Sequence, residues 1–364
     1  MIRKNNNKRV LVAMSGGVDS AVAAFLLKKQ GYEVIGVTMC FGLEDSKGKH
    51  PGCCSISGIE DAKRVAEQLG ITHYALSFGK LLKENVIDEF IKEYLRGRTP
   101  NPCVRCNQYL KFGALFKKAK ELNCRYFATG HYAKIARDKN GEYFLKKGKD
   151  AKKDQSYFLF RIPRVKMKHI LFPLGNYTKD EVRKIAKENK LRVADKPASQ
   201  EACFITDGDY KNFITNSSAA KKLKPGYIKD TKGNILGRHR GIAFYTIGQR
   251  QGLGIAYRCP LYVIKIELRT NTVIAGEKKD VYKRKLTAKG LHLSGLKLLS
   301  KTLEVEAKIR YNHPKAKAAV RPFKRGKITV EFRKPQWAIT PGQSVVFYQN
   351  NKVIGGAIIE EAVE

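Results

Sequence analysis

Long apolar runs are missing from this 364-residue chain: nothing in it approaches the roughly 18 consecutive apolar residues of a membrane-crossing helix. Met1 to Arg9 is polar, with no apolar signal-peptide core. These absences argue against a bilayer-embedded protein and lead to the expectation of a soluble, cytoplasmic one without a membrane partner. Acidic residues are scarce as well: 33 Asp plus Glu stand against 71 Lys plus Arg, a formal net charge of +38. So large an excess goes beyond what solubility needs. It argues for a polyanionic partner, nucleic acid before membrane, because no polybasic block adjoins an apolar anchor. The spread of Lys and Arg through the whole chain leaves compositional bias as the competing explanation. No internal repeat or low-complexity segment interrupts the sequence. Without a secretory signal, the eight cysteines argue for thiols that do chemistry or bind metal.

The first phosphate-site candidate fits neither G-x-x-x-x-G-K-[ST] nor G-x-G-x-x-G. An apolar strand, Val10 to Met14, runs instead into Ser15, Gly16 and Gly17, and a helical apolar pattern follows from Val18 to Leu27. Strand, glycine turn and helix N-terminus together suit an anion, because glycines let the backbone approach and the unpaired N–H groups of the first turn point at it. Further along, Glu33–Met39 and Thr72–Ser77 read as strands and residues 57–69 and 80–96 as helices. A basic helix is expected from about Arg105 to Leu122, then a strand from Arg125 to Thr129 ending in Gly130-His131-Tyr132. The alternation predicts an α/β fold with a parallel sheet, whose ligands bind beyond the carboxyl ends of the strands. Ser15–Ser20, Met39 and Gly130-His131 all fall at such ends. Met39 taken alone is an ordinary core methionine, raised by its position, and His131 taken alone is an ordinary loop histidine. After Leu286 the period becomes two, with Leu303, Val305, Ala307 and Ile309 alternating with charges, and Ile328, Val330 and Phe332 doing the same. Three parts are expected: a nucleotide-binding domain over 1–206, a small central module over 207–285 and a β-barrel over 286–364.

Cys103 and Cys106 open the basic helix, where the helix N-terminus, Arg105 and Lys111 favour thiolate. Cys203 lies in Gln-Glu-Ala-Cys-Phe-Ile, between a polar approach and an apolar exit. Cys40, Cys124 and Cys259 read as inert packing. Cys53-Cys54 reads as part of a polar loop, with a zinc site alongside Cys103 and Cys106 as the alternative.

Ser-Gly-Gly-Val-Asp-Ser (15–20) resembles the pyrophosphatase loop of the N-type ATP pyrophosphatases, which adenylate a substrate oxygen. Further motifs narrow the resemblance: Gly-Arg-Thr-Pro-Asn-Pro (97–102) with Cys106, Ala-Thr-Gly-His-Tyr (128–132) and Lys-Asp-Gln-Ser-Tyr-Phe-Leu (153–159). To these add Ala-Cys-Phe-Ile (202–205), Thr-Ile-Gly-Gln-Arg-Gln-Gly-Leu-Gly (246–254) and Thr-Pro-Gly-Gln-Ser (340–344). In this order, nearly end to end, they resemble the tRNA-specific 2-thiouridylase family. The resemblance implies a Rossmann-like sheet of the adenine nucleotide alpha hydrolase type, and ATP on Ala13, Met14, Ser15, Gly16, Gly17, Val18, Asp19, Ser20, Met39 and Gly130. ATP would adenylate O2 of the wobble uridine of a tRNA anticodon, with Asp19 as the Mg2+ ligand because pyrophosphate departure needs its charge screened. Asn101, Pro102 and Cys103 would face the flipped-out base. His131, Lys153, Asp154, Gln155, Arg310, Tyr311 and Gln343 are implied as tRNA contacts. Cys203 would carry a persulfide supplied by a sulfur-relay protein or cysteine desulfurase, and Cys106 would resolve it through a Cys106–Cys203 disulfide. A monomer is expected.

One position departs from the family. Many members carry Asp where this chain has Cys103, and the Cys103-x-x-Cys106 pair with Cys203 makes three potential thiolate ligands for a 4Fe–4S cluster with one open iron. The persulfide route is preferred over the cluster route. Two other readings compete: a different N-type pyrophosphatase, such as an amidotransferase-linked or lysidine synthetase, and a non-catalytic RNA-binding protein. Neither gives the paired cysteines a task.

Overall fold

The computed structural model describes residues 8–42, 56–197, 202–205, 208–295, 299 and 301–363. Cys53-Cys54 therefore lies outside the described residues. The chain divides into two compact units. One comprises Met1–Val86, Cys103–Gly208 and Asn351–Val353; the other comprises Ile87–Pro102, Asp209–Asn350 and Ile354–Glu364.

The first unit is built on a parallel sheet. Strand β1 (Arg9–Ala13) leads into helix α1 (Val18–Lys29), β2 (Glu33–Cys40), helix α2 (Ile56–Gln68), β3 (Thr72–Ser77) and later β4 (Tyr126–Thr129). A hairpin of β5 (Ala133–Arg137) and β6 (Tyr143–Lys147) follows, and then the two-residue β7 (Ile170–Leu171). Spatial order is β3-β2-β1-β4-β7, every neighbouring pair parallel. The chain runs outward from β1 to β3 and then returns to the other side of β1, so the switch point lies between β1 and β4. Val10, Leu11 and Val12 are wholly buried, as the continuous apolar run of a central parallel strand requires. Val10 and Val12 pack in one core with Val22 of α1, Ala66 of α2, and Val182 and Ala186 of the helix Lys179–Glu188. The basic helix begins at Pro102, ahead of the expected Arg105: proline has a preset φ and no N–H to lose in a first turn. From Cys106 to Leu115 it is wound wide, and a Cβ on Gly113 would meet the Gln108 carbonyl oxygen at 2.9 Å.

In the second unit β8 (Gly226–Lys229), β9 (Ile235–His239), β10 (Tyr262–Glu267) and β11 (Thr272–Gly276) form a small sheet in the order β10-β11-β8-β9, with β11 and β8 parallel. The barrel comprises β12 (Tyr282–Leu293), β13 (Leu303–Lys308), β14 (Ala316–Pro322), β15 (Ile328–Trp337), β16 (Ser344–Gln349) and β17 (Lys352–Val363). Its order is β12-β15-β14-β13-β16-β17, and antiparallel pairing of β12 with β17 closes it and removes the free edges. The period-two pattern faces as expected: Val305, Ala307, Ile328, Val330 and Phe332 join the barrel core. Helix Asp88–Leu95 belongs to this unit, with Tyr94 stacked on Tyr210 at 4.6 Å and Phe90 edge-on to Phe213 at 6.2 Å.

Candidate active site

Beyond β1 the loop turns through Gly16 at φ +71°, and a Cβ there would run into the carbonyl of Gly58. Only glycine meets both demands. Ser20 braces the loop from inside: its hydroxyl accepts from the Ser15 N–H at 3.1 Å and donates to the Gly17 carbonyl at 3.0 Å. Gly17 caps α1 in an extended conformation, and no side chain caps the helix. The amides of the first turn are thus left to a ligand, and the helix dipole favours an anion. Gly130 closes the site from β4, since a Cβ on it would stand 2.8 Å from the Asp19 carbonyl carbon. The resemblance-implied residues Ala13, Met14, Val18 and Met39 gather around these strand ends. Met14 and Val18 are buried, and Met39 is half-buried at the end of β2 opposite Leu76.

Asp19 points its carboxylate across this loop, where its Oδ1 accepts from the Tyr132 hydroxyl at 2.7 Å and from the Lys179 ammonium at 2.6 Å. Burial, and next the charge of Asp19, push the Tyr132 phenol above its usual range, so it stays a proton donor. A second lysine, Lys196, donates to the Gly16 carbonyl at 3.1 Å and pairs with Asp61 at 2.6 Å. Tyr132 was legible only as part of a motif, and Lys179, Lys196 and Asp61 escaped sequence reasoning altogether. Lys179 stands 160 residues from Asp19, and no spacing rule links such positions. As for Mg2+, one carboxylate beside open amides suits an ion that takes one or two carboxylates and completes its shell with phosphate oxygens and water. Among the described residues no group of three His, Cys, Asp or Glu side chains could hold a metal. Cys103, Cys106 and Cys203 are all described, so nothing here supports the 4Fe–4S ligand set that stood as the alternative.

The thiols differ in setting. Cys103 is exposed, while Cys106, at the start of the wide helical stretch, and Cys203, in a turn closed by Ile205 N–H to Ala202 C=O at 2.9 Å, are half-buried. Arg105, expected to favour their thiolates, donates to the Asn85 carbonyl at 2.7 Å and lies over the Tyr109 ring at 5.2 Å. Cys124 is buried, and burial pushes its thiol up to about 11, as inert packing requires. Burial also raises the half-buried Cys40.

His131 is 7% exposed, and its Nδ1 lies 2.6 Å from the Thr129 hydroxyl, between the rings of Phe112 and Phe172. Burial, then the charge of Lys111, hold the imidazole well below its ordinary range, hence neutral. Gln155 exchanges hydrogen bonds with the Tyr132 backbone, at 3.0 Å through its side chain and 2.9 Å through its amide. Asp154, 3% exposed, accepts from the Gly148 and Ser156 amides, and of this trio Lys153 alone is exposed.

Within the second unit, motifs far apart in sequence interlock. Gln343 donates to the Thr99 carbonyl at 2.9 Å and to that of Pro100 at 3.3 Å, while the Thr99 amide donates to Pro341 at 2.9 Å. The hydroxyls of Thr99 and Thr246 lie 2.9 Å apart. Arg310 donates to the Ile247 carbonyl at 2.8 Å and to the Thr340 hydroxyl. Segments 97–102, 246–254 and 340–344 thus form one interlocked cluster, with Asn101 and Pro102 at the end of the first; Tyr311 lies under the Lys308 ammonium at 5.5 Å.

Three family profiles match the chain in succession. They are described as a tRNA methyl transferase HUP domain over residues 8–207, a tRNA methyl transferase PRC-barrel domain over 211–277 and an aminomethyltransferase beta-barrel domain over 283–359. A tRNA-specific 2-thiouridylase MnmA of Clostridioides difficile is 49% identical over 98% of this chain and 99% of its own length. One of Acetivibrio thermocellus is 50% identical over 98% of this chain and 100% of its own. Among solved structures, a 4-thiouridine synthetase–RNA complex with bound ATP matches 57% of this chain and 50% of that one. It is 19% identical with a TM-score of 0.34, too loose a likeness to argue from.

Proposed function

The chain belongs to the tRNA-specific 2-thiouridylase family, and from that premise we propose how its own residues carry out ATP-dependent 2-thiolation of the wobble uridine in tRNA anticodons. The protein is a tRNA-uridine 2-sulfurtransferase. ATP lies with its phosphates on the first-turn amides of α1 and its base toward Met39 and Gly130. Asp19 would hold Mg2+, which when bound would supply charge screening for the phosphates. The uridine O2 attacks the α-phosphorus and N3 gives up its proton; the bond to the bridging oxygen breaks, and pyrophosphate leaves with the electron pair. A carbonyl oxygen is a poor leaving group, and AMP is a good one.

Sulfur then enters at C2 from a Cys203 persulfide loaded by a donor protein. Its terminal sulfur, or hydrosulfide freed by Cys106, displaces AMP. Attack of Cys106 on the inner sulfur of Cys203 leaves a Cys106–Cys203 disulfide, which a thiol reductant must reopen. Asn101, Pro102 and Cys103 line the flipped base. Lys153, Arg310, Tyr311 and the segments around His131 and Gln343 shape the tRNA surface, with Asp154, Gln155 and Gln343 acting through the backbone they hold. Division of labour follows the parts read from the sequence: activation over 1–206, support over 207–285 and 286–364. Action as a cytoplasmic monomer completes the reading; among the described residues no helix is long and apolar enough to cross a membrane.

The observation that carries the proposal is the uncapped N-terminus of α1 with Asp19 at the β1–β4 switch point. Methyl transfer, the activity for which two of the matching profiles are named, gains nothing from such a loop, since a methyl donor needs no pyrophosphate site. Cys106→Ser and Cys203→Ser should each abolish 2-thiouridine formation while ATP binding, read by calorimetry, stays intact. Thiolated tRNA above trace levels from either variant would refute the roles assigned to the thiols.

A further inference from the structure

We propose that Lys179 is the pyrophosphate-side residue of the site: on nucleotide binding its ammonium exchanges Asp19 for the β- and γ-phosphates and offsets the charge of the departing pyrophosphate. This rests on the nucleotide reading of the Ser15–Ser20 loop and adds to it a residue that no motif contains.

Placement comes first. The Lys179 ammonium lies 2.6 Å from Asp19 Oδ1, in the first turn of α1, beside the amides that would receive phosphate. Its side chain is only 12% exposed, so the charge is held against the loop and not solvated away from it. The base of the side chain is anchored. Lys179 opens the helix Lys179–Glu188 behind a Thr178–Glu181 capping box, and its own amide donates to Asp150 Oδ2 at 2.9 Å. With the backbone held, four methylenes leave the ammonium free to swing by a few ångströms.

The exchange also has a driving force. Asp19 cannot serve a divalent cation and keep the ammonium on the same oxygen without like charges crowding. MgATP brings both the cation that takes the carboxylate and the phosphates that take the ammonium. Asp19 is not stranded in the exchange, because the Tyr132 hydroxyl, 2.7 Å away, continues to donate to it. During adenylation Lys179 keeps its proton; the electron pair leaves on pyrophosphate, and the ammonium meets that developing charge. Lys196 is placed differently: its ammonium bridges the Gly16 carbonyl at 3.1 Å and Asp61 at 2.6 Å, and Asp61 is not the carboxylate that MgATP would claim.

The test compares the full-length protein with Lys179→Met, Lys179→Gln and Lys179→Arg. Calorimetry measures binding of magnesium pyrophosphate and, separately, of AMP. Lys179→Met and Lys179→Gln should weaken pyrophosphate about tenfold or more, the loss expected of a charge-assisted contact, while AMP stays within about twofold and Lys179→Arg recovers most of the loss. Without nucleotide, Mn2+ followed by paramagnetic resonance should bind more tightly to Lys179→Met, whose Asp19 has lost a competing cation. Whichever variant folds suffices. Unchanged pyrophosphate affinity in the neutral variants overturns the inference. Equal weakening of AMP also overturns it, because Lys179 would then only shape the loop. If the wild type binds ATP, failure of these contrasts sinks the Lys179 role alone. If it binds neither ATP, AMP nor pyrophosphate, the nucleotide reading falls and takes this role with it.

Discussion

At the start of α1 one carboxylate oxygen of Asp19 accepts from both Tyr132 and Lys179, and that arrangement decides what a substitution there does. Asp19→Ala would remove the proposed anchor for Mg2+ and take from Lys179 the carboxylate it pairs with. tRNA-dependent pyrophosphate release should fall about a hundredfold or more, and thiolation with it; a rate near that of the wild type would show that Asp19 is not the ligand. His131 predicts the pH response. Burial holds its folded pKa below the unfolded value of about 6.5, so above that pH it costs nothing. Below it the unfolded chain takes up a proton that the folded form refuses, and stability drains away as pH falls. His73 and His239 are displaced in the same direction, also chiefly by burial. The melting temperature should hold from about pH 8 to pH 7 and drop from there to pH 5.5, and His131→Gln should flatten part of that drop. An identical pH profile in the variant would remove His131 from this account. A six-residue motif singled out Asp19 in the sequence, whereas its Lys179 partner was not legible there, because Lys179 arrives from a different helix.

Elements explain why glycines and helix ends matter more here than their neighbours. β4 delivers Gly130 against the first turn of α1, and a methyl group there would meet backbone 2.8 Å away, which cannot step aside as a side chain could. Gly130→Ala should therefore weaken ATP binding about tenfold or more through a displaced helix start, with little change in tRNA affinity. Equal loss of both would mean a general loss of fold. The hairpin β5–β6 went unread in the sequence, although Asn140-Gly141 marks its turn and Gly141 has φ +80°. The basic helix was visible from its charges and periodicity; its wide stretch from Cys106 was not, because a helical pattern in apolar residues does not distinguish i→i+4 from i→i+5 winding.

At the scale of the molecule the formal charge of +38 is the dominant fact. Each phosphate neutralised should add about −0.7 to −0.9 to the slope of log affinity for tRNA against log salt. Filter binding across a salt series would measure it, and a flat line would make the charge compositional. Cys103 decides between the sulfur routes at this scale, since the cluster route needs a ligand set spanning about a hundred residues of chain. Cys103→Ala should retain thiolation with a persulfide donor and no added iron. Complete loss, with iron and sulfide found in protein purified without oxygen, would overturn the preferred route.

The chain by itself determined the strand–glycine–helix phosphate loop, the parallel α/β class and the period-two barrel. Each of these is written in short-range periodicity and in backbone freedom that few residue types can supply. It also carried the family, through motifs in order. Only tertiary structure brought Lys179 and Tyr132 to Asp19, set Lys196 on Gly16 and locked Gln343 and Arg310 onto segments 97–102 and 246–254. Those contacts join residues 63 to 244 positions apart. Such pairings depend on how sheets order their strands and how a barrel closes, and local sequence patterns encode neither.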